Sequence, residues 1–192
     1  MTLAPWRVPL ARALHRNRSK PHSRYVQLAT VDADGWPTVR TVVFRGFLED
    51  CDRLLFVTDT RSKKAQHFQH RPQAEVCWYF TQTREQFRLR GTIQVTTATT
   101  PDAQWQAERQ RRWQALSDAA RQQFVWPEPA APRSHPDFDF PAPDAVQPPD
   151  TFALVALTPI FVDHLALRGS PQDRHHYTYC ETGEWEVQAV NP

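Results

Sequence analysis

Two stretches hold side chains whose types and spacing suit anion chemistry. Residues 40–47 read RTVVFRGF, so Arg40 and Arg45 bracket a run of valines and phenylalanine that belongs inside a sheet. Residues 58–64 read TDTRSKK, which places Thr58, Ser62, Lys63 and Lys64 around the start of a short helix. A helix N-terminus offers free backbone N–H groups and the positive end of its dipole. Hydroxyl and ammonium groups converging there suit a dianion, a phosphate monoester above all. Arginine's planar fork matches phosphate better than lysine's point charge does. Arg40 and Arg45 are five apart, so a regular strand points them to opposite faces. Each group also has a plain structural use. Paired lysines are often just solvated, and arginines at strand ends snorkel.

Other reactive side chains carry less. His67 and His70 are three apart on the same short helix, but no third ligand stands near, so they read as solvent-facing polar residues. His175 and His176 are placed to polarise a substrate, or simply to lead a polar turn into a strand. Cys77, in AEVCWYF, reads as a small core residue. The basic run at 15–24 is compatible with nucleic acid, a ligand phosphate or a solvated linker. Trp105, Trp113 and Trp126 read as packing or interface anchors, whose indoles are also suited to stack on a ring.

The elements that must position these residues are mostly strands. Leu10, Ala13 and Leu14 recur at helical spacing and predict a helix over about 8–16. Val-, Thr- and Phe-rich runs broken by DADG and EDCD predict strands at 25–31, 37–47 and 53–58. Ser62 caps a helix at about 63–70, with Ala65 and Phe68 on its inner side and Pro72 past its end. Two strands follow around a turn at 81–84; in the second, Gln86, Arg88 and Arg90 alternate with Phe87 and Leu89. A helical stretch then opens with Pro101 at its first position and is split at Ser117-Asp118. Residues 127–149 hold eight of the chain's 17 prolines and read as an extended arm. Strands at about 152–157 and 160–167 and a last pair joined by ETG complete the chain.

The bulk composition narrows the classes. At 192 residues the chain fits one domain, and a net charge of +2 gives no general pull towards nucleic acid or membrane. No stretch approaches the roughly 18 apolar residues that span a bilayer. Three cysteines without C-x-x-C spacing fit neither a disulfide framework nor a metal site, which suits a cytoplasmic protein. The expected class is mainly β with helices (α+β), a small antiparallel barrel.

The segments RTVVFRGF, FVTDTRSKKAQHFQHRP, VCWYF and TREQFRLRG follow one another in the order and spacing of the pyridoxamine 5′-phosphate oxidase-like flavoproteins. The chain most resembles the Alr4036-type FMN-binding branch, through PWR, VQLATVDADG, FVWPEP and the terminal VNP as well. The resemblance covers nearly everything except the proline-rich arm. It implies an FMN-binding split β-barrel, a homodimer with flavin at the subunit interface. Carried over by position, Arg40, Thr41, Val42 and Val43 run along the flavin, with Arg40 on its phosphate side. Val57 and Thr58 meet the ring and its polar edge, Ser62, Lys63 and Lys64 the phosphate, and Gln86 the isoalloxazine. Arg174 matches a flavin arginine, while Arg45, with His175, stands on the substrate side.

The implied activity is FMN-dependent oxidation of pyridoxamine or pyridoxine 5′-phosphate. No catalytic side chain is singled out, and no metal is called for. The chain departs from the oxidases at Ser170 and Gln172, where they carry Arg and His, and at His164, where a tryptophan often meets the flavin. Arg111, Arg112 and Ser117 do not reproduce their substrate-phosphate set. A flavin-binding carrier or sensor without that activity is the rival reading.

Overall fold

The computed structural model describes residues 3–133, 138 and 140–192. Helix α1 (Arg7–Asn17) buries Leu10 and Ala13, as their spacing predicts. Strands β1 (Tyr25–Val31) and β2 (Pro37–Val43) make the expected hairpin, whose Gly35 takes a φ of 89°. Next come β3 (Gly46–Phe47), β4 (Leu54–Asp59) and helix α2 (Lys63–His70), then the pair β5 (Gln73–Phe80) and β6 (Glu85–Thr96). Helices α3 (Ala103–Gln114) and α4 (Asp118–Gln122) part at Ser117, whose hydroxyl accepts the Ala120 amide as a cap. The chain ends with β7 (Phe152–Ala166), β8 (Asp173–Tyr179) and β9 (Trp185–Ala189).

The strands form one antiparallel sheet in the order β2-β1-β5-β6-β7-β4-β3, with β8 and β9 joined on through β7. The sheet curls around Val26, Leu28, Val76, Trp78, Phe87 and Leu89, all essentially buried. The curl stays open, because no ladder joins β2 to β4. That seam defines a split barrel.

Four local readings change. Residues 37–47 form two strands because the chain changes partner midway: the Phe44 amide donates to Arg24 O, and the Arg45 amide to Leu55 O. Residues 152–166 form one strand, since Pro159 sits at a bulge opposite Gly91. A side chain at Gly91 would meet Thr158 O at 2.0 Å, so the bulge requires glycine. Pro101 lies before α3, whose cap is Asp102, accepting the Gln104 and Trp105 amides. Cys77 is only half-buried, on the outer face of β5, since Val76 and Trp78 take the inward positions.

The described part of the proline-rich arm 127–149 contains no helix or strand; its residues 134–137 and 139 lie outside the described residues. Its carbonyls are held by side chains of α3. Trp113 Nε1 donates to Asp144 O at 2.8 Å, and Arg109 Nη2 to Pro149 O at 2.6 Å.

Candidate functional site

A cavity of about 370 Å³ lies at the open seam. One wall is Thr41, Val42, Val43 and Arg45 after the β1–β2 hairpin, facing Val57, Thr58 and Asp59 at the end of β4. Lys64 enters from the first turn of α2. The opposite wall is Ala120, Gln123, Phe124, Trp126 and Pro129, from α4 and the start of the arm. Arg61 fastens this wall: its Nη2 donates to Trp126 O at 3.0 Å while its guanidinium grips Asp59. The seam therefore brings together seven residues expected from sequence: Thr41, Val42, Val43, Arg45, Val57, Thr58 and Lys64.

The cations here are poorly neutralised. Burial lowers the Lys64 pKa, and repulsion from Arg40 lowers it further against a partial pull from Asp59. Burial likewise lowers Arg45, with repulsion from Arg24 next. The Arg45 Nε is buried without a hydrogen-bond partner. Asp59, the acid at the cavity, is already engaged by Arg61. An anion entering between Lys64 and Arg45 would relieve each of these costs.

Ser62 stands at the helix cap without bonding a backbone amide through its side chain. Its hydroxyl instead donates to Asp59 O at 2.7 Å and lies 3.1 Å from Thr58 Oγ1. Lys63 is exposed and does not line the cavity. Arg40 turns from the cavity wall, donating to Leu28 O and to the hydroxyls of Thr30 and Thr38. His67 is buried against those same hydroxyls, contrary to its reading as solvent-facing, because β1 and β2 offer it polar partners inside.

The remaining expected residues lie elsewhere on the sheet. Gln86, Leu165 and Arg174 stand in direct register across β6, β7 and β8, so they share the outer face. Arg174 grips buried Asp163 through Nε at 2.9 Å and Nη2 at 2.7 Å. His175 pairs in register with His164, one residue on, and so takes the other face. His164 stacks on Phe87 at 4.1 Å and bonds Glu85 at 3.1 Å.

The FMN-binding domain of pyridoxamine 5′-phosphate oxidase matches residues 3–97. The pyridoxine/pyridoxamine 5′-phosphate oxidase 2 of Arabidopsis thaliana is 38% identical over 194 residues, covering 99% of this chain and 98% of that protein. The chain belongs to the pyridoxamine 5′-phosphate oxidase family. A crystal structure of a pyridoxamine 5′-phosphate oxidase-related, FMN-binding protein from Nostoc punctiforme matches with a TM-score of 0.97 at 50% identity, over all of both chains. The PhzG protein of Burkholderia lata shares the fold at 16% identity, with a TM-score of 0.80 over 98% of this chain and 93% of that one.

For a member of the pyridoxamine 5′-phosphate oxidase family, the seam fits FMN on its own chemistry. Val42, Val43 and Val57 give the seam an apolar lining, and the unneutralised cations stand where a phosphate has use for them. Of the wall from Ala120 to Pro129, sequence offers only Trp126, as an indole able to stack on a ring. Its FVWPEP segment was visible as a motif, but only folding places it across the seam.

Proposed function

We propose that this protein is a cytoplasmic, homodimeric FMN-dependent oxidoreductase with its flavin in the seam. The cations that lack an anion there, Lys64 and Arg45 with Arg40 behind, carry the reading. Lys64 and Arg40 take the phosphate beside the Thr58 and Ser62 hydroxyls. Thr41, Val42, Val43 and Val57 support the ring, and Lys63 adds long-range charge from the surface. The outer sheet face that holds Thr41 and Val43 continues through β1 and β5 to Gln86 and Arg174. A second copy laid on this face would bring its Gln86 and Arg174 to the seam.

FMN, when bound, supplies a two-electron acceptor for hydride from a carbon bearing an amine or alcohol. The protein contributes position and charge. Arg45, which lines the cavity, holds the anionic group of the substrate; His175, on the sheet face opposite Gln86 and Arg174, stands outside this arrangement. The wall around Trp126 excludes water. On the parent chemistry the substrate is pyridoxamine or pyridoxine 5′-phosphate, and O₂ reoxidises the flavin.

Flavin absorbance and a saturable FMN titration test the cofactor, and a protein that binds no FMN would overturn the reading. Anaerobic mixing of holoprotein with pyridoxamine 5′-phosphate tests the substrate, with bleaching of the flavin expected. A flavin-binding protein without this oxidase activity is the second reading, favoured by the arginines of α3. Arg112 is committed to Arg45 O, Phe47 O and Glu108, and Arg111 to Glu108 and Glu49. Absence of bleaching would favour that reading.

A further inference from the structure

Behind the seam, a polar chain runs through the interior between β1, β2 and α2. Arg40 donates from Nη1 to Thr30 Oγ1 and from Nη2 to Thr38 Oγ1, both at 2.7 Å. The two hydroxyls lie 2.9 Å apart, and Thr30 Oγ1 is 3.0 Å from His67 Nδ1. Both threonine oxygens accept from the guanidinium, so their own hydrogens must find acceptors. Thr38 can donate to Thr30, and Thr30 in turn to Nδ1, provided that Nδ1 carries no proton. Thr38 Oγ1 also lies 3.3 Å from Nδ1 and 3.4 Å from Thr30 O, and with Nδ1 unprotonated His67 ends the chain as its acceptor.

The hydrogen count on Arg40 gives this chain a purpose. With Leu28 O at 3.1 Å taking the second Nη1 hydrogen, three of the guanidinium's five donors are spent. The Nε hydrogen and one on Nη2 remain, and these form the side-on fork that matches two oxygens of a phosphate. We propose that His67 is a positioning residue for anion binding: through Thr30 and Thr38 it fixes the guanidinium plane of Arg40, leaving that fork for the phosphate beside Lys64. The inference rests on the flavin reading of the seam.

The surroundings keep the imidazole neutral. Burial lowers the His67 pKa, and Arg40 on β2 lowers it next; Asp32, in the turn after β1, opposes them, while His70 and Lys63 on its own helix act with them. On the proposed seating the chain lies on the phosphate side, away from the valines given to the ring. A fault in the chain should therefore show in the phosphate contact alone.

FMN and riboflavin, which differ by the phosphate, separate the possibilities. In fluorescence-quenching titrations, His67→Leu should weaken FMN by roughly tenfold and leave riboflavin within about twofold. His67→Asn, which returns an acceptor near the Nδ1 position, should recover most of the FMN affinity. Thr30→Val should reproduce the selective loss. Equal weakening of both ligands in His67→Leu, or no weakening of either, would overturn the positioning role. If the wild-type protein binds neither ligand, the flavin reading fails and this inference falls with it.

Discussion

At the residue scale, adjacent lysines that look equivalent in sequence have different environments. Lys64 lies at the seam with its charge opposed by burial and by Arg40, whereas Lys63 is solvated. Lys64→Ala should weaken FMN by roughly ten- to a hundredfold and Lys63→Ala by far less, measured by fluorescence titration. Equal losses would place the phosphate elsewhere. Acid titration should expose two buried groups. His67 is lowered in the fold from an ordinary value of 6.5, so its unfolded form takes up the proton first. Its contribution is complete above that value and is lost as pH falls below it. Asp163 is raised by burial but lowered more by Arg174, His176 and Arg88, so it ends below its usual range. Its contribution holds at neutral pH and disappears as pH falls through the folded value. Urea unfolding across pH 3–7 should thus show stability rising with pH, with a weaker slope at the acid end in Asp163→Asn. The sequence showed the cations and hydroxyls, but not that His67 turns inward. The helix spacing leaves that open, and the threonines of a distant hairpin decide it.

At the scale of elements, hydrophobic period and turn chemistry made most strands legible, because those signals are local. What they missed depends on partners. RTVVFRGF reads as one strand, and only the neighbours show that its two ends pair with different strands. Pro159 reads as a break, and only Gly91 across the ladder lets β7 run through it. Gly91→Ala has no room on the Thr158 side and should cost about 1–3 kcal/mol in urea or thermal unfolding. An unchanged midpoint would mean that the bulge relaxes freely. Trp113 is the hinge between α3 and the arm, fully buried against Phe124 and Phe152. Trp113→Ala should cost about 3–5 kcal/mol and loosen the wall that faces the flavin. Flavin fluorescence in the holoprotein would report that loosening.

At the scale of the whole molecule, the outer sheet face exposes apolar side chains beside its ion pairs, and the proposed second copy would cover them. Val39 is 68% exposed, Tyr25 47% and Tyr79 42%, all on the face that carries Gln86 and Arg174. Tyr79→Asp should shift the protein from dimer to monomer in light scattering and weaken FMN together with it. A dimer that persists with full flavin affinity would move the interface to another face. The split barrel was legible because four motifs fall in register along the chain. The proposal that two copies share the site comes only from the resemblance, since Arg174 and Lys64 share no local pattern.

The change of partner at Phe44 and Arg45 has a consequence in time. The Phe44 amide ties the chain to Arg24, just ahead of β1, and the Arg45 amide ties it to Leu55 in β4. Arg45 also lines the cavity, and its buried Nε has no hydrogen-bond partner. A ligand held by that side chain therefore bears on both edges of the seam. Amide deuterium uptake at Phe44 and Arg45 should slow on adding FMN, while the β6–β7 ladder, already paired along its length, should keep its rate. The seam would then open most rarely when it is filled.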